Sequence, residues 1–162
     1  MKRIFLIFSL VLLSFAHAGA GEIKHLPLDD ASAIGLKIKS ESSTKIEGKG
    51  SIKITTLWPT IVCLGQVTGL DVENSKLVYR AQVKSELEGA ALLEMWAHIA
   101  GGQYFSKGLN NPIKGNSDWQ TLQTPFIFQK GQQPDKVTLN LVVNGTGTVW
   151  IDDITLSKEP LN

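Results

Sequence analysis

The chain has one cysteine, Cys63, and two arginines, Arg3 and Arg80. A single thiol cannot close an internal disulfide and cannot by itself build a zinc site, and the three histidines are scattered. Cys63 lies in the apolar run Ile61-Val62-Cys63-Leu64, which reads as a buried, inert thiol, with an intermolecular disulfide as the sharper alternative. The net charge is +1. No basic patch or stripe points to nucleic acid or to an anionic membrane surface. No segment after residue 20 is apolar for long enough to span a bilayer. No Gly-x-Ser-x-Gly elbow, His-Glu-x-x-His or phosphate loop occurs. Glu94 and His98, four residues apart on a strand, are separated by roughly 13 Å, too far for direct acid–base cooperation. Glu94 with Asp71 or Glu73 would make a glycosidase-type pair, but nothing in the spacing selects the partner.

What is present begins with an export signal. Lys2 and Arg3 precede the apolar stretch Ile4 to Phe15, and two small-x-small sites follow, Ala16-His17-Ala18 and Ala18-Gly19-Ala20. Residues 1–20 therefore read as a secretory signal peptide, with an uncleaved anchor as the alternative, and the mature protein as periplasmic or extracellular. Losing Lys2 and Arg3 from the 16 basic residues leaves one fewer than the 15 acidic ones. The remaining chain, roughly 140 residues, suits one domain with one core.

Short alternating segments separated by turn signals fill the rest, the pattern of an all-β domain. Strands are expected at 35–40, 51–55, 62–67, 77–84, 92–100, 119–128, 136–143 and 149–156. Residues 21–34 are a lead-in or first strand, 35–158 the sandwich and 159–162 a short tail. Gly101 to Asp118 reads as a long polar connection, and Asn144-Gly145-Thr146-Gly147 as a hairpin turn rather than a glycosylation sequon. About eight strands with these spacings imply a two-sheet β-sandwich of jelly-roll type.

Alternation divides each strand between a core face and an outer face. Leu77, Tyr79, Ala81 and Val83 oppose Arg80 and Gln82, and Leu93, Met95, Ala97 and Ile99 oppose Glu94, Trp96 and His98. Asn140 lies opposite the apolar Val137, Leu139, Leu141 and Val143 set. An indole plane among amide, carboxylate and guanidinium groups suits a sugar, whose C–H face packs on the ring while its hydroxyls pair with polar groups. The expected ligand set is Trp96 as platform with Arg80, Gln82, Glu94, His98 and Asn140, and with Trp58 and Gln66 at the rim. The alternative is a cross-strand Arg80–Glu94 ion pair with Trp96 covered by the 101–118 connection. Trp119 and Trp150 read as core residues, and Tyr104 and Phe105 as lining a ligand slot or anchoring the loop.

Five stretches resemble one family. They are Gly48-Lys49-Gly50-Ser51-Ile52-Lys53-Ile54, Leu64-Gly65-Gln66-Val67, Lys76 through Lys84, Asp118-Trp119-Gln120 with Phe126 and Phe128, and the finish Gly147-Thr148-Val149-Trp150-Ile151-Asp152-Asp153-Ile154. Over residues 45 to 157 the chain is similar to the galactose-binding-domain-like jelly rolls, the fold of many carbohydrate-binding modules. A close variant is attached to some bacterial transcriptional regulators, but no DNA-binding segment is present here. The resemblance implies a non-catalytic module for a saccharide or glycan. It also implies a structural calcium held partly by Asp152, with Asp153 second. The family's usual first-strand motif is missing, with Gly21-Glu22-Ile23 in its place. Asp29-Asp30 is a second pair of hard oxygen donors. The readings from other classes are a structural or protein-interaction sandwich meeting a partner protein, and a small secreted hydrolase.

Overall fold

The computed structural model describes residues 21–26 and 38–161, so the signal-peptide reading, Asp29-Asp30 and the start of the 35–40 strand lie outside the described residues. Eight strands follow in order: β1 Gly21–Leu26, β2 Ile38–Glu41, β3 Ser51–Thr56, β4 Thr60–Thr68, β5 Ser75–Ile99, β6 Gly102–Lys107, β7 Ile113–Phe128 and β8 Lys136–Pro160. All pairings are antiparallel.

Strands β5 and β8 are 25 residues each and pair with one another along nearly their whole length. Both pass from one layer of the sandwich into the other, as strands do at the corners of bent sheets. In one layer the first half of β5 lies between β7 and the second half of β8, whose other edge carries β1 and β3. In the other layer the second half of β5 lies between β6 and the first half of β8, whose other edge carries β4.

The bend is made by glycine. Gly89, Gly145 and Gly147 have φ of +133°, +152° and +129°. A Cβ on Gly89 would collide with the Asn144 carbonyl, and one on Gly145 with the Glu88 carbonyl. The Asn144–Gly147 segment is therefore a bend within a continuous strand, not a hairpin. Positive φ is needed there, as the glycines signal, but to turn the ribbon around the core.

Odd-numbered side chains of β5 point inward on both sides of this bend. Leu77, Tyr79, Ala81 and Val83 share one core with Ala91, Leu93, Met95 and Ala97, joined by Leu139, Leu141, Ile151, Ile154 and Leu156 of β8. Tyr79 is fully buried, and that burial pushes its hydroxyl well above the ordinary tyrosine range. The segment expected as a polar connection holds β6 and the start of β7. Its Gly, Asn and Lys content masked strands whose outer side chains meet water on an edge.

Candidate functional site

The outer face of the β4–β8–β5–β6 layer carries most of the expected ligand residues. Cross-strand register aligns them in rows. Cys63, Asn140, Glu94 and Lys107 form one row, Gln66, Thr138, Trp96 and Phe105 the next, and Thr68, Lys136, His98 and Gln103 a third. At the other end Ile61, Val142 and Leu92 continue the face. There, with Pro59, Thr60, Lys107, Leu109 and Asn144, they line a groove of about 360 Å³. The central strands lie low: Leu92, Glu94, Asn140 and Val142 are buried. The flanks stand high, with Ile61 at 59% and Phe105 at 56% exposure. The face is thus a trough between two raised edges.

Glu94 sits at the bottom of this trough, 1% exposed. Its Oε1 accepts from Trp96 Nε1 at 2.7 Å and from Asn140 Nδ2 at 3.1 Å. Lys107 Nζ lies 2.9 Å from Oε2 as an ion-pair partner. Burial raises the pKa of this carboxyl, but Lys107, Trp96 and Asn140 together outweigh it, so the group is held below its ordinary 4.5 and stays charged. A buried charge of this kind is tolerated because it is paired and hydrogen-bonded. Glu94 orients three side chains and presents almost none of itself.

Trp96 is half-buried. Its ring packs against Phe105 with centroids 5.1 Å apart and planes tilted by 42°. The 101–118 segment covers Trp96 in part, through Phe105. It supplies β6, which lies beside the tryptophan as an edge strand and adds an exposed aromatic. Lys107 Nζ stands 5.4 Å from the Phe105 ring centre. Phe105, expected to line a ligand slot or anchor the loop, and Lys107, expected within the polar connection, both belong to the face on strand β6. Alternation within Gln103-Tyr104-Phe105-Ser106-Lys107 was the available signal.

Two expected members, Arg80 and Gln82, lie elsewhere. Arg80 and Gln82 are on the same side of the β5 ribbon as Trp96, but the ribbon bends between them, so they look out from the opposite face of the sandwich. Reading them as one face with Trp96 is corrected by the glycine bend. There Arg80 donates to Gln123 Oε1 at 3.1 Å, Ser157 Oγ at 2.8 Å and Glu159 Oε1 at 2.7 Å. Glu159 also pairs with Lys76 at 2.7 Å. The Arg80 and Lys76 bonds hold its carboxyl below the usual range. The Arg80–Glu94 ion pair does not form, since each residue has its own partners. Gln82 Nε2 donates to Thr121 Oγ1 at 3.0 Å. Trp58, 55% exposed, lies at the gap between β3 and β4 and lines a small cavity with Ile54, Thr55, Leu57, Thr60 and Val62.

Cys63 is exposed, not buried, because a bulge at Leu64 turns the thiol to the trough while Leu64 enters the core. Trp150 is buried, on the outer side of its sheet beneath Lys53, whose Nζ is 5.1 Å from the ring centre. Trp119 is half-buried.

The acidic pair of β8 occupies a bulge, where Asp153 has φ +48°. Asp152 is fully buried. Its Oδ2 accepts the backbone N–H of Ile46 at 2.7 Å and of Glu47 at 3.1 Å, and its Oδ1 that of Asp153 at 2.8 Å. It pins the β2–β3 loop to the last strand. Asp153 turns outward, and its Oδ1 lies 3.0 Å from His25 Nε2, which is also 2.8 Å from Glu47 Oε1. These donors do not fit calcium: Asp152 is committed to three N–H groups, and an imidazole is a poor ligand for a hard cation.

No protein-family model matches the sequence, and no curated protein matches it. Solved structures do. The CBM22-1 xylan-binding domain from Paenibacillus barcinonensis superposes with a TM-score of 0.66 at 12% identity, covering 91% of this chain and 100% of that one. A Clostridium thermocellum structure holding CBM22-1 and GH10 modules with xylohexaose gives 0.62 at 12% identity, over 84% of this chain and 28% of that one. A cyclase from Fischerella sp. TAU gives 0.55 at 15% identity, over 77% and 74%. Identities this low speak for architecture only. The chain has the antiparallel jelly-roll fold, galactose-binding-like, that carbohydrate-binding modules share.

Proposed function

We propose that the protein is an exported, non-catalytic module that binds a saccharide along the outer trough of the β4–β8–β5–β6 layer. The observation that carries this is the paired row Gln66–Thr138–Trp96–Phe105 beside Cys63–Asn140–Glu94–Lys107. Phe105 and the free edge of Trp96 offer aromatic surface to a sugar ring. Lys107, Gln66, Thr138, Gln103 and His98 offer hydrogen bonds around it. Glu94 acts as a positioning residue that fixes the Trp96 ring and the Asn140 amide before ligand arrives. This saves ordering cost on binding. Its burial and three donors favour binding over acid–base chemistry. Because the neighbouring folds include xylan-binding domains, xylan is the first ligand to test. Among the described residues no helix is long and apolar enough to cross a membrane.

The test is retention of the protein on immobilised polysaccharides, xylan first, alongside tryptophan fluorescence in solution. Retention with a fluorescence change that Phe105→Ala weakens supports the reading. No retention on any polysaccharide and no fluorescence change would overturn it.

A further inference from the structure

His25 of β1, Glu47 of the β2–β3 loop and Asp153 of the β8 bulge bring one ligand atom each to within 4.8 Å of one another. Three separate elements thus converge on a point at the edge of the sandwich, far in sequence and on the β1–β3 layer rather than on the Trp96 trough. We propose that this cluster is a binding site for a zinc-class divalent cation, and that it selects against calcium.

The chemistry of the donors makes the selection. Calcium takes six to eight oxygens, commonly with several carboxylates and backbone carbonyls. Here one donor is an imidazole nitrogen, and Asp152, the residue before Asp153, already accepts three backbone N–H groups. One nitrogen and two carboxylate oxygens, with open positions for water, match zinc and its neighbours. The size is suitable. Two ligands at about 2.1 Å from one zinc ion at a tetrahedral angle lie about 3.4 Å apart. His25 Nε2 is 2.8 Å from Glu47 and 3.0 Å from Asp153, so the cluster opens by only about 0.5 Å to admit the ion. Side-chain exposures of 36%, 41% and 31% leave a path for the ion and its waters. The ion would tie β1 and the β2–β3 loop to the last strand, where the resemblance implies that calcium does so.

The experiment is thermal unfolding of the untagged protein, in a Cys63→Ser background that removes thiol binding, with zinc or calcium chloride added. Zinc at a hundredfold excess over its Kd raises Tm by about 5 °C or more, and calcium at the same concentration leaves it unchanged. His25→Ala abolishes the zinc shift. As a control for β1 docking, a second variant, His25→Glu, replaces nitrogen by oxygen and gains a response to calcium. Stabilisation by calcium rather than zinc in the parent would overturn the proposal. So would a zinc shift that survives His25→Ala, or no response to either ion, which would leave the three side chains as an ion triad only.

Discussion

Trp96 and Glu94 lie two residues apart on the same face of β5, and the indole N–H donates to the carboxylate at 2.7 Å. The bond holds the ring from its own strand, and Phe105 packs against it from the neighbouring one. It also ties the aromatic surface of the trough to a charge that must stay ionised.

A pH dependence follows. A carboxyl whose folded pKa lies below its ordinary 4.5 adds stability that is complete above pH 4.5 and is lost as pH falls through the folded pKa. Glu94→Gln keeps the shape and removes the charge. The expected outcome is a lower Tm for Glu94→Gln than for the parent at pH 7. The gap narrows below pH 4.5, as measured by circular dichroism melts across pH.

Opposite faces predict opposite effects. Phe105→Ala is expected to weaken saccharide binding about three- to tenfold with little loss of stability, since the ring is largely exposed. Arg80→Ala is expected to leave binding unchanged and to cost about 0–1 kcal/mol of stability, as a partly exposed ion pair does. Calorimetric titration and urea melts of the two variants separate these outcomes.

Asp152→Ala leaves the N–H groups of Ile46, Glu47 and Asp153 without their acceptor. A loss of about 2–4 kcal/mol is expected in urea unfolding. Asp153→Ala, which removes only outward contacts, is expected to cost much less.

Gly145→Ala is expected to prevent folding, because a side chain would collide with the Glu88 carbonyl at φ +152°. Loss of soluble, folded protein on expression, against normal yield for Thr146→Ala, checks this.

Much of the architecture is legible in the residues. Alternation at 77–83, 93–99 and 137–143 separates the side chains of the central core from those of the outer face, although Glu94, Asn140 and Val142 of that outer face are themselves buried. The glycines at 89, 145 and 147 are visible too, but not what they do. Positive φ fits a hairpin and a bend equally, and only the pairing partner distinguishes them. That ambiguity divides β8 into two expected strands, and reading 77–84 and 92–100 without the bend between them places Arg80 beside Trp96. For the site, Glu94, Trp96, His98, Asn140 and Gln66 come together because β4, β8 and β5 are neighbours in register. Phe105 is legible as lining a slot or anchoring a loop, but its strand and the place of Lys107 on the face are hidden, because an edge strand tolerates polar and small residues that resemble a loop. His25 was beyond reach, since its partners at Glu47 and Asp153 are joined only by tertiary pairing.

Saccharide bound in the trough around Trp96 perturbs a defined set of signals. The most direct measurement is a two-dimensional amide and indole NMR titration with xylohexaose. The expected shifts are concentrated at the Trp96 indole, Gln66, Phe105, Lys107 and Thr138, with Arg80, Gln123 and Ser157 unmoved. Shifts centred on Arg80 or on Trp58, with the Trp96 indole unchanged, would contradict binding in the trough.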